Sequence, residues 1–388
     1  MQMNYIYSQK KIIKLFVTWR AALFLVAFVS TYLIAKFGAR FPYAEKVLEI
    51  TNLPNWIWGF GNFDGVHYLR IAQNGYNADY SQAFFPLFPS LISIVSNIFP
   101  RLAGLDISIY TDPAYFYSGM IVSNLMFLIA LCVYYKLLKL DFEEKTSYLS
   151  LVLLLVLPTA FFFGSIYTES LFLLLSVLSI YLLRKSKFFL ASVVVALATA
   201  TRLAGVFLIA VYLTEVLKSK NKWNLVWIIL TPLGIISYMY FLHLNYGNAF
   251  YFFMSSGEFG TGRDVARIVL IPQIIYRYIK MFLDINVFTL SFLNIFLEFV
   301  FTLAPLTYLI FLFKKMRFSY WIFSMGTLLI GTLNGTFTSM PRYALLGMVF
   351  LLPYFAIQFK DKITKIAVAS LILECILLML FIRGYWIS

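Results

Sequence analysis

The feature that most constrains this chain is the repetition of apolar runs long enough, or nearly long enough, to cross a bilayer. They fall at approximately 15–36, 118–138, 148–166, 168–183, 188–201, 203–217, 223–244, 286–313, 318–334, 343–359 and 363–382. A helix rises 1.5 Å per residue, so about 20 apolar residues cover the ~30 Å of hydrocarbon. The runs predict an all-α polytopic membrane protein of about eleven transmembrane helices. Composition agrees, with 62% hydrophobic and only 12% charged residues.

Charge placement orients the spans. With a cytoplasmic N-terminus, the connections 136–147, 184–187, 218–222, 314–317 and 360–365 are cytoplasmic, and each carries three Lys or Arg residues. The net charge of +14 is therefore dispersed as topology signals and does not form a nucleic-acid surface. Cys132 and Cys375 both lie in apolar runs, so there is neither a disulfide framework nor a Cys-rich metal site. Without an internal repeat or a separate soluble segment, residues 1–388 read as one transmembrane domain.

Two connections on the other side are long, 37–117 and 245–285. Both carry aromatic-rich amphipathic pieces, FFPLFPSLISIVSNIF and VARIVLIPQIIYRYIKMFL, suited to lying along the interface. Residues 61–99 of the first loop hold Asp64, His67, Arg70 and Asp79 among Gly and Pro residues, a backbone that cannot sit exposed in hydrocarbon. If a helix starts at Asp64, then His67 and Tyr68 share its face. The spans 168–183 and 188–201 are short, so Glu169 and Arg202 at their outer ends are recessed and should face a polar cavity. This topology gathers five polar clusters on the non-cytoplasmic side: FDGVH (63–67), YTES (167–170), TATR (199–202), HLNYGN (243–248) and SMPRY (339–343).

These clusters resemble the motifs of the PIG-V type mannosyltransferases, membrane enzymes of the GT-C class. Asp64, Gly65 and His67 match a Trp-Asp-Gly-x-His-type motif, with Phe63 in place of the Trp. Gly75, Tyr76 and Asp79 match a Gly-Tyr followed by an acid, with Asp where Glu is usual. The Ala83–Pro89 run, the turn Tyr167–Glu169 and Arg202 complete the match over the first 205 residues or so. The resemblance implies a GT-C-like fold and transfer of a sugar, in the family mannose. The donor would be a polyprenyl- or dolichyl-phosphate sugar and the acceptor a glycan or glycolipid on the non-cytoplasmic face, with inversion at the anomeric carbon.

The residues at hand suit that chemistry. Asp64 is the candidate base for the acceptor hydroxyl, with His67 beside it. The leaving phosphate calls for fixed cations, assigned to Arg202 and Arg342 with His243 and Arg263 behind them. Asp79, Tyr167 and Glu169 complete the expected substrate-binding set. No cofactor or metal is expected, although Asp64, Asp79 and Glu169 could share a divalent ion. Two other functions fit part of the pattern: a transporter or flippase of a lipid-linked glycan, since recessed charges also line transport pathways, and a glycan polymerase or ligase using diphosphate donors. A helix cap is the plain structural role for Asp64, and helix–helix hydrogen bonding the only role evident for Glu298 and Glu374.

Overall fold

The structure, a computed structural model, describes residues 2–38, 44–258, 269–333 and 335–387. Among these residues it is all-helical, apart from a lone bridge at Val269. The chain is an integral, multi-pass membrane protein. Among the described residues five helices are long and apolar enough to cross: Gln9–Leu33, Pro113–Leu138, Lys222–Tyr246, Leu290–Leu312 and Ile363–Ile382. A sixth span is formed if the pair Met340–Met348 and Leu352–Gln358, bent by 78°, is counted as one.

Helix length thus supports fewer crossings than the eleven runs predicted, and two runs show why. The run 148–166 is not one helix: Glu144–Leu155 stops ahead of Pro158, which disfavours helical backbone before it and supplies no amide donor. Residues 156–168 continue as irregular backbone with a short 3-10 turn at Ala160–Gly164, shielded from lipid by burial within the protein. The run 343–359 breaks ahead of Pro353 for the same reason. All five basic clusters lie at or beside turns between helices.

Contacts divide the chain into two compact units. The first comprises Met1–Asn77, Phe85–Tyr181 and Phe355–Trp386. Its first and last long helices pack along each other, and the Arg383 guanidinium ties their ends by donating to Ile34 O (2.8 Å), Ala35 O (3.0 Å) and Asn55 Oδ1 (2.7 Å). Asp112 starts the Pro113–Leu138 helix by accepting from Ala114 N at 2.8 Å, and its other oxygen accepts from Leu102 N at 2.8 Å. The expected amphipathic piece after Pro86 forms the helix Leu87–Ser96, which packs on Pro113–Leu138.

The second unit comprises Ala78–Phe84, Leu182–Tyr354 and Ile387–Ser388. Helices Phe207–Lys218 and Phe318–Ile330 approach closely because Gly326 leaves room for the Phe207 ring; a Cβ there would meet Phe207 Cδ1 at 2.2 Å. At their basic ends, Arg317 pairs with Glu215 through Nε–Oε1 (2.9 Å) and Nη2–Oε2 (2.5 Å), a two-point fit of guanidinium to carboxylate. In the second long loop the expected amphipathic piece forms the helix Ile271–Asp284; residues 259–268, Arg267 included, lie outside the described residues.

Candidate active site

The sequence places Asp64 after Asn62-Phe63, and the structure turns the chain sharply there. Phe63 has φ 58° and ψ −115°, a conformation that costs a non-glycine residue ~1–3 kcal/mol. Neighbouring groups hold it. The Asn62 amide donates to Phe381 O at 2.8 Å, the buried Tyr167 hydroxyl donates to Asn62 O at 2.8 Å, and Ile166 N donates to Phe60 O at 2.9 Å. The Phe63 ring packs edge-on against Trp386 at 5.0 Å and lies 5.7 Å from Phe381. Phe381 also contacts Phe161 and Phe162, each at 5.3 Å, so the last helix and the buried 156–168 segment form the floor under this turn.

The turn delivers Asp64 as the first residue of the helix Asp64–Asn74. Phe63 occupies the cap position, and the Asp64 carboxyl lies half-buried in the first turn of the helix, where the backbone dipole favours negative charge. His67 follows one turn later. Burial depresses its pKa below 6.5, the Asp64 charge opposes that shift and Arg70 adds to it, so the imidazole is neutral near pH 7. The far end of this helix is fastened to the 107–112 loop: Gln73 donates to Tyr110 O (2.9 Å) and accepts from Asp112 N (2.7 Å), and Arg70 donates to Ile109 O at 3.4 Å. It stops at Gly75, whose φ of 70° suits a glycine.

Glu169 also begins a helix, Glu169–Arg184, and is 1% exposed. It lies two residues past Tyr167, whose hydroxyl bond gives that tyrosine a clear structural task in holding the Asp64 turn. In the first unit, then, Tyr167 of the YTES motif holds the residue that leads into FDGVH.

The second unit brings Arg202 and Arg342 to the same aromatic ring. Each guanidinium carbon lies 5.1 Å from the Tyr343 ring centre, and Arg342 Nη2 donates to the Tyr343 hydroxyl at 3.3 Å. Arg342 is 7% exposed, while Arg202 is half-buried ahead of the short turn Leu203–Val206. Two cations around one ring form a strong local positive field, suited to a phosphate. Tyr343 was not singled out from the sequence, although it lies in the SMPRY cluster beside Arg342.

Other expected residues stand elsewhere. Asp79 is exposed on the Ala78–Phe84 segment, which Tyr238 anchors by donating to Gln82 O at 2.7 Å. His243 is exposed in the last turn of Leu233–Tyr246. Arg263 lies outside the described residues. Among the described residues no three or more His, Cys, Asp or Glu side chains gather in a way that could hold a metal ion.

Comparison with solved structures finds the oligosaccharyltransferase of Archaeoglobus fulgidus. Its apo form gives a TM-score of 0.46 at 12% identity, covering 95% of this chain and 56% of that one. The same enzyme tethered to an acceptor peptide gives 0.47 at 14% identity, covering 95% and 55%. Scores at this level do not establish a shared fold. Among curated proteins, GPI mannosyltransferase 2 of Cryptococcus neoformans var. neoformans serotype D is 33% identical over 152 residues, which is 37% of this chain and 34% of that protein. The match therefore spans about a third of the relative's length. The sequence model of the Mannosyltransferase (PIG-V) family matches residues 9–226, more than half of the chain and a stretch that includes Asp64, His67, Glu169 and Arg202. On that match, the chain belongs to the Mannosyltransferase (PIG-V) family, a family of glycosyltransferases.

Proposed function

We propose that this protein is an inverting membrane mannosyltransferase that moves mannose from a polyprenyl- or dolichyl-monophosphate donor to a glycan or glycolipid acceptor. The observation that carries the reading is the strained, clamped turn that presents Asp64 at a helix N-terminus, within the region matched by the family. Strain of this kind is retained where the surrounding structure over-determines it, as at reacting centres.

In the reaction, an acceptor hydroxyl attacks the anomeric carbon as its proton passes to the Asp64 carboxylate. The bond from that carbon to the phosphate oxygen breaks, and polyprenyl phosphate leaves with the bonding electrons. Attack opposite the leaving group inverts the anomeric centre. Arg202 and Arg342 meet the growing phosphate charge, with Tyr343 setting the geometry of both guanidinium groups. Glu169 orders the acceptor, and neutral His67 supplies a hydrogen bond beside Asp64. Asp79 and His243, both exposed, are assigned to the outer rim that meets the donor and acceptor headgroups, and Arg263 keeps its assignment as a further cation for the donor phosphate. A monophosphate leaving group is stable as an anion, so neither a general acid nor a metal is needed.

The topology proposed with this mechanism has about eleven crossings, some made by the shorter apolar helices, with the N-terminus and the basic turns cytoplasmic and the reaction on the opposite face. The test is product analysis with purified protein and labelled polyprenyl-phosphate mannose. A new mannosidic bond and free polyprenyl phosphate are expected. Movement of the intact lipid-linked sugar without bond formation would make the protein a transporter, and transfer only from diphosphate-linked glycans would make it a polymerase or ligase.

A further inference from the structure

Glu298 is an acid in the middle of a spanning helix with no place in the mechanism above, and its contacts lead toward Arg342. The helix Ile271–Asp284 turns Ile274 and Tyr278 inward, one helical turn apart, and leaves Tyr276, Ile279 and Leu283 exposed. The Tyr278 hydroxyl donates to Glu298 Oε2 at 2.5 Å, and its oxygen accepts from Phe337 N at 3.1 Å. Thr336 Oγ1 lies 3.4 Å from the same hydroxyl, pairs with Thr338 Oγ1 at 2.7 Å and accepts from Thr338 N at 3.2 Å. One residue earlier, Arg277 donates to Gly335 O at 2.9 Å.

Five residues on from Phe337 stands Arg342. The intervening backbone is bonded turn on turn: Met340 N to Phe337 O at 3.0 Å, then Arg342 N to Ser339 O at 3.2 Å, with Ser339 at a φ of 69°. Phe337, Ser339, Met340 and Arg342 are all buried. A buried strained turn of this kind has few alternative conformations, so its anchor at Phe337 sets where Arg342 emerges. Burial, together with the Glu298 charge and hydrogen bond, pushes the Tyr278 phenol well above its usual range and keeps its proton in place for Glu298.

We infer that Tyr278 and Glu298 are positioning residues for Arg342: the phenol, fixed by the Glu298 carboxyl, holds the Phe337 amide and thereby aims the arginine at the donor phosphate. The inference rests on the phosphate-binding role proposed for Arg342. It also connects the helix Ile271–Asp284 to Arg342 through one buried hydroxyl and the Phe337 amide.

The experiment measures equilibrium binding of polyprenyl monophosphate, the leaving lipid, to full-length protein in nanodiscs, alongside the donor KM and kcat. Wild type is compared with Tyr278→Phe, Glu298→Gln, Arg342→Ala and the double variant Tyr278→Phe/Arg342→Ala. Tyr278→Phe is expected to weaken lipid-phosphate binding and raise the donor KM about tenfold. Glu298→Gln, which keeps an acceptor for the phenol, should weaken both by only about two- to threefold. The double variant should bind as Arg342→Ala does, because Tyr278 acts through that arginine. Wild-type binding by Tyr278→Phe, or an additive loss in the double variant, overturns the inference. If Tyr278→Phe fails to fold, wild-type binding by Glu298→Gln overturns it equally. Undiminished binding by Arg342→Ala strikes instead at the phosphate assignment on which the inference stands.

Discussion

Replacing Tyr167 by phenylalanine tests whether the Asp64 turn is held for catalysis. The change deletes one hydroxyl, 2.8 Å from Asn62 O, and leaves the packing of the ring against Phe162 (4.9 Å) and Phe381 (6.1 Å) in place. Leaving a buried acceptor without its donor costs ~1–3 kcal/mol. Here Asn62 O keeps a longer contact from Gly65 N at 3.4 Å, so ~1–2 kcal/mol applies. The strained Phe63 conformation can relax at similar cost, and relaxation moves Asp64 away from the acceptor. If that energy is felt in the transition state, kcat falls about 5- to 30-fold at an unchanged donor KM. The assay is initial-rate transfer at saturating acceptor across a donor series, with the thermal midpoint of both proteins measured in the same nanodiscs. Asn62→Ala, which removes the 2.8 Å bond to Phe381 O, should cost at least as much, and the two changes should combine less than additively. A kcat within twofold of wild type, with the whole ~1–2 kcal/mol appearing as lost stability, would refute the reasoning: the bond would then hold the fold and not the reacting geometry.

Asp64→Asn keeps size and removes the base, so turnover should fall ~10²- to 10⁴-fold with donor binding nearly unchanged, as read by single-turnover kinetics beside lipid-phosphate titration. Arg202→Ala should show the opposite division, weaker donor binding together with slower transfer, because its charge acts in both ground and transition states. His67 has a folded-state pKa below its unfolded 6.5, so its contribution to stability is complete above about pH 6.5 and is lost as the pH falls from there toward the folded value. Thermal midpoints recorded across that window should drop for wild type and drop less for His67→Gln. Cysteines introduced at Ser219 and Ser256 should label from opposite sides of the membrane; labelling of both from one side would break the proposed topology.

The sequence by itself determined the membrane class, because 62% hydrophobic residues in long runs admit no soluble core of ordinary composition. It also marked Asp64 as the start of a helix and Arg202 with Arg342 as the cations of interest, since chemistry-bearing residues stand out against an apolar background. Crossing number was not decided at that level: hydropathy does not register the bend before Pro353 or the irregular 156–168 backbone, where burial in protein replaces helical hydrogen bonding. Nor could it show that Phe381 and the carbonyls of the last helix support a turn more than three hundred residues earlier, or that Tyr167 serves Asn62 through its hydroxyl. Tyr343 and the Tyr278–Glu298 pair were equally invisible, because a tyrosine in an aromatic-rich membrane protein carries no local signal of the partner its hydroxyl or ring will find. Local pattern fixes which groups must avoid lipid. Only the packing of distant helices decides which of them meet, because those contacts depend on side-chain shape and distance across the fold and leave no periodicity in the chain.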